Sequence, residues 1–189
     1  MANEQVFLGI PSYGNMVHEG LIESVRFGSA RGLLRMKQTV SFSILTHNFN
    51  ILFAAALTAR KHGITHFALH HDDISPEFYW LDKMMDLMNH HGADILSAVS
   101  PIKDPKKGLT STALDEPFKD EDPRWRVRRL TLNEIHKNYE PTFTTDTLLV
   151  NSGLMLVDIR KPRVEKIAFR FENDIVQTTP GEFKPVVIS

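Results

Sequence analysis

Cysteine is absent from the 189 residues. That removes disulfides, thiolate nucleophiles and zinc-thiolate centres together, and makes the cytoplasm the expected location. No apolar run approaches the roughly 18 residues that a membrane helix requires, so no membrane span is expected. Charge of one sign is missing too: 22 Lys and Arg against 23 Asp and Glu give a formal charge of -1. A balanced chain offers no global reason to expect nucleic acid as a partner, although "RWRVRR" could form a local basic patch. Two nucleotide-binding fingerprints are also lacking. Gly9, Gly14 and Gly20 do not make G-x-G-x-x-G, and Asn15 and Met16 stand where a P-loop needs Lys and Ser or Thr. There is neither a G-x-S-x-G elbow nor an H-E-x-x-H pair.

What is present is an alternation of strand and helix signals. With 42% apolar residues, the chain is long enough for one domain with a real core. "QVFLGI", closed by Pro11, reads as a buried strand, and Val17, Leu21, Ile22 and Val25 follow at helical spacing. "TVSFSILT" alternates Val40, Phe42 and Ile44 with serines and predicts a second strand. A helix is predicted from Asn48 to a stop at Gly63, then a strand over "THFALH". Another helix is predicted through Phe78, Leu81, Met85 and Met88, with Ser75 as cap and Pro76 in its first turn, followed by a strand over "ADILSAVS". After Pro101 a polar, proline-rich stretch reads as a long loop, "RWRVRRLTL" as a strand, and Thr131 with Glu134 as a capping box. "TLLVNSGLMLVDI" is the last strong apolar segment, broken at Asn151 to Gly153.

This alternation predicts an α/β fold: an open, mainly parallel twisted sheet with helices on both faces. In such sheets ligands bind beyond the carboxyl ends of the strands. The third strand ends in "HHDD", so Asp72 and Asp73 occupy a functional position, as hard oxygen ligands suited to Mg²⁺ or Mn²⁺. The competing reading of the pair is a cap on the helix near Pro76. His71 adjoins the aspartates, while His70 alternates to the opposite face. His90 and His91 read as a solvated helix end.

At these residues the chain resembles the GT-A-fold glycosyltransferases, particularly small bacterial and phage-type members related to family 2. The likeness covers Val6 to about Ile159 and rests on the order of short motifs: "VFLGIPSYG", "LTHNFNILFAAAL", "HHDD", "SAVSPIKD" and "VNSGLMLVDI". It implies a single GT-A-like, Rossmann-like nucleotide-binding domain over 1–189, with a nucleotide-sugar-binding half at 1–107 and a partial acceptor-side half at 108–189. The implied activity is transfer of a sugar from a nucleotide sugar, a UDP-sugar foremost, to an acceptor hydroxyl with Mn²⁺ or Mg²⁺. Pro11, Ser12 and Tyr13 form the turn that touches the nucleoside, and Asn50, Asp72 and Lys103 join them as nucleotide-sugar-binding positions. Gly153 marks the acceptor side. Asp73 becomes the main metal ligand and His71 its helper. Two departures stand out. His71 replaces the first carboxylate of the family's D-x-D, and the acidic base motif expected after the acceptor segment is missing, which leaves Glu182 and Asp174 as weak candidates. The alternative is therefore a non-catalytic nucleotide-sugar-binding module, or a truncated, weakly active transferase.

Overall fold

The structure is a computed structural model. It describes residues 4–12, 19–102, 108–115, 128–140 and 142–170, together with the backbone of 173–179 and 182–187. The chain divides into two compact units, one of Met1–Ala98 with Ser152–Phe169 and one of Val99–Asn151 with Arg170–Ser189.

The first unit holds strands β1 (Val6–Pro11), β2 (Leu34–Val40), β3 (His66–His70) and β4 (Ile95–Ser97), with helices α1 (Glu19–Arg26), α2 (Leu45–Ala59) and α3 (Trp80–His91) between them. Strands β5 (Leu109–Leu114), β6 (Arg128–Thr131) and β7 (Leu148–Leu149) and helix α4 (Leu132–Asn138) belong to the second unit. The chain then returns to the first unit with β8 (Leu154–Asp158), and β9 (Asn173–Thr179) and β10 (Glu182–Val187) form a hairpin in the second.

The expected α/β architecture is present as a five-stranded sheet in the order β2-β1-β3-β8-β4. Strand β1 runs parallel to β2 and β3, whereas β8 is antiparallel to both β3 and β4. The sheet is thus mixed: β8 inserts with reversed direction between strands that otherwise run alike. A strand buried on both faces is apolar throughout and carries no mark of its direction.

Helices cover both faces. On one, α2 packs Phe49, Leu52, Phe53 and Ala56 against Phe7, Phe67, Leu69 and Val157. On the other, Leu21 of α1 and Trp80, Leu81, Met85 and Met88 of α3 cover Val6, Leu8, Ile10, Ala68 and Leu156. Close approach at the centre depends on Gly9, where an added Cβ would lie 2.8 Å from the Phe67 ring and 3.1 Å from Leu52 Cβ.

Three local expectations are corrected. The second strand is the charged Leu34–Val40 rather than "TVSFSILT". Phe42 and Ile44 are 55% and 62% exposed, in a turn that the buried Asn48 side chain clamps through the amide and carbonyl of Phe42. Helix α3 begins at Trp80, not near Pro76, and no side chain caps it. Instead its first amides are satisfied by the residues just past α1, with Tyr79 donating to the Phe27 carbonyl and Leu81 to that of Gly28. Finally, the stretch expected as a long loop after Pro101 contains β5, a strand whose buried positions include Thr110 and Thr112. The capping box of Thr131 and Glu134 opens α4 as expected.

Candidate functional site

Strands β1 and β3 lie side by side in parallel, with Gly9 opposite Leu69, so their carboxyl ends emerge at one edge. Pro11 is the last residue of β1. Ser12, 3% exposed, donates its amide to the Val40 carbonyl at the end of β2, while its hydroxyl is buried without a partner. Beyond β3 the chain turns at once: the Ile74 amide bonds back to the His71 carbonyl at 3.4 Å. Within this turn His71 and Asp72 are half-buried and Asp73 is exposed. The carboxylates therefore stand at the sheet edge, and neither opens a helix.

The His71 backbone amide donates to the carbonyl of the buried Gly153 at 2.8 Å. This joins the first residue of the acidic turn to the segment just ahead of β8, two features 82 residues apart in the sequence. The His71 ring lies against Phe49, centroids 5.2 Å apart. Burial holds the imidazole below its ordinary value, with the Asp73 and Asp72 carboxylates pulling the other way. At neutral pH the ring is uncharged, and its buried Nε2 has no hydrogen-bond partner.

A second histidine supports the turn from below. His70 is fully buried. Its Nδ1 lies 2.7 Å from the His71 carbonyl, which can only accept, so Nδ1 carries the proton. Nε2 then accepts from the Ser24 hydroxyl of α1 at 2.5 Å. Trp80 sits edge-on to the His70 ring and donates Nε1 to the Ser24 carbonyl at 3.0 Å. Desolvation keeps His70 neutral, which this pattern of one donor and one acceptor requires. Ser24 and Trp80 had no place among the sequence candidates. The signal was there in the three-residue spacing of Ser24 from Leu21, which puts a serine on the buried face of α1.

The remaining candidates are dispersed. Asn50 lies in α2 and spends both ends of its amide on the backbone of Phe169, donating to the carbonyl and accepting from the amide, each at 2.9 Å. Tyr13 and Lys103 lie outside the described residues. Asp174 and Glu182 fall on β9 and β10, where Asp174 pairs with Val186 and Glu182 with Thr179. The two are thus at opposite ends of the hairpin, roughly 16 Å apart at about 3.3 Å per residue.

Among the described residues no group of three His, Asp or Glu side chains converges to hold an ion. A hard divalent ion that keeps water and phosphate oxygens is commonly held by one or two protein carboxylates, and Asp72 and Asp73 are the two carboxylates of this turn. No helix among the described residues is long and apolar enough to cross a membrane. In comparison with known proteins, no family model matches the sequence and no curated protein matches it.

Proposed function

We propose that this chain is a metal-dependent glycosyltransferase that binds a nucleotide sugar, a UDP-sugar foremost, at the edge formed by the carboxyl ends of β1 and β3. The observation that carries the reading is the meeting of three features at that edge: the end of β1 at Pro11 and Ser12, the turn His71 to Asp73, and the Gly153 carbonyl bonded to the His71 amide. The resemblance of these segments to the motifs of GT-A enzymes supports it.

In this reading the turn from Pro11 to Tyr13 lies against the nucleoside, Asp72 accepts from a ribose hydroxyl and Lys103 offers positive charge to the donor phosphates. Asp73, with His71 beside it, would hold Mn²⁺ or Mg²⁺, which supplies the charge that offsets a departing diphosphate. His70 fixes the turn through the His71 carbonyl and so holds the aspartates in place. Gly153, bonded to the turn through the His71 amide, is the position that the resemblance assigns to the acceptor side, and a carboxylate would take the proton of the acceptor hydroxyl. Asp174 and Glu182 are the candidates for that carboxylate.

The test is turnover. Purified chain incubated with a panel of UDP-sugars and Mn²⁺ is expected to release UDP, with release falling at least ten-fold on EDTA treatment or in Asp73→Asn. Metal-independent release would contradict the role of Asp73 as a metal ligand, and no release from a protein that still binds UDP would contradict transfer. The latter result would establish the second reading, a nucleotide-sugar-binding module, which is favoured by His71 standing where the family places a carboxylate.

A further inference from the structure

A cavity of about 640 Å³ opens on the α1 face of the sheet, between α1 and the edge strand β2. Its size falls within the range of small-molecule sites. The register dictates its chemistry. Leu8 pairs with Lys37 and Ile10 with Thr39, so these β2 side chains share the face that β1 presents to α1. Where β1 offers apolar residues, β2 offers Arg35 and Lys37. Arg26 of α1 joins them in the lining, and Leu21 and Val25 form an apolar wall.

Two observations indicate an anion. Among the described residues no Asp or Glu lines the cavity, and Arg26, Arg35 and Lys37 make no ion pair, although all three line one space. Independently, Ser12 lines the same cavity: it is 3% exposed and its hydroxyl has no hydrogen-bond partner. A buried donor left unmade is costly, and a phosphate oxygen would satisfy it. Guanidinium groups recognise phosphate through paired donors. The apolar wall adds room for a hydrocarbon body.

We infer that this cavity is a binding site for a phosphate ester carrying an apolar body, held by Arg26, Arg35, Lys37 and the Ser12 hydroxyl at its charged end and by Leu21 and Val25 along its apolar part. The cations and the apolar wall belong to α1 and β2 rather than to the acidic turn beyond β3, and Ser12 is the residue that this site shares with the proposed nucleoside turn.

Calorimetric titration of the full chain with n-octyl phosphate, inorganic phosphate and n-octyl glucoside separates charge from apolar contact. Octyl phosphate is expected to bind one per chain, at least ten-fold more tightly than either of the others. Its affinity should fall at least ten-fold in the exposed double variant Arg35→Gln/Lys37→Gln and several-fold in Ser12→Ala, with circular dichroism unchanged. Equal affinity for all three probes, no binding of octyl phosphate at millimolar concentration, or indifference to the double variant would overturn the inference. Displacement of octyl phosphate by UDP would overturn it as well, because the cavity would then belong to the nucleotide.

Discussion

Replacing His70 by Phe keeps the ring and removes both of its hydrogen bonds. In the native protein Nδ1 donates to the His71 carbonyl and Nε2 accepts from Ser24, both at a residue with no exposed surface. After substitution the Ser24 hydroxyl, 3% exposed, is orphaned. A buried group left so costs about 1–3 kcal/mol. The His71 carbonyl belongs to a half-buried residue and can recover part of its loss from water, so the low end, about 1 kcal/mol, applies to it. The expected total is therefore about 2–4 kcal/mol, read as a lower urea midpoint with an unchanged slope. Ser24→Ala removes the orphaned hydroxyl, so the double variant Ser24→Ala/His70→Phe should be more stable than the sum of the single losses implies, with a coupling of about 0.5–3 kcal/mol. Loss below about 0.5 kcal/mol for His70→Phe, or strict additivity in the cycle, would refute the buried network as the support of the turn.

Gly9→Ala should cost about 1–3 kcal/mol by the same assay, because the new Cβ would meet the Phe67 ring at 2.8 Å and that ring is itself fully buried against Phe53. Stability should also fall between pH 7.5 and 5.5. His66 is held below its ordinary value of 6.5, chiefly by burial, with Asp158 opposing and Arg160 adding to the effect. A base whose native value is depressed binds more protons unfolded, so its contribution is complete above about 6.5 and lost as pH falls toward the native value. Urea midpoints that rise on acidification would contradict this, since the shift of His70 acts in the same direction. In the second unit, Thr131→Ala removes a cap that accepts from the Glu134 amide, and should cost about 1 kcal/mol, read as a lower urea midpoint by circular dichroism.

The parts of the fold that could be read from sequence were those where burial leaves a pattern. The strands β1 and β3 are buried on both faces, and α2 runs on through a 3₁₀ turn, Arg60–His62, to Gly63 with φ 86°. The edge strand β2 could not be found the same way. Its α1 face carries Arg35 and Lys37, so the apolar alternation that marks a half-buried strand is missing there, while Phe42 and Ile44 imitate it in a turn. The start of α3 was hidden for another reason: its caps are backbone carbonyls near the end of α1, a tertiary contact that no local motif encodes.

The candidate site divides in a similar way. Asp72, Asp73 and His71 could be placed at a strand end from the chain alone, because they follow the apolar run directly and the break after it is a local signal. Their link to Gly153 depends on β8 running antiparallel beside β3, which an apolar segment does not announce. Ser24 could be placed on the buried face of α1 by its spacing from Leu21, but its pairing with His70 is recognised only when both partners are seen together.

The most direct measurement of the central claim is calorimetric titration of the folded chain with UDP, with and without Mn²⁺, for the native protein and Asp73→Asn. The account predicts binding that strengthens with Mn²⁺ in the native chain and loses that dependence, with at least a ten-fold fall in affinity, when the carboxylate is replaced. An absence of UDP binding under both conditions, or Mn²⁺-dependent binding that Asp73→Asn leaves unchanged, would contradict it.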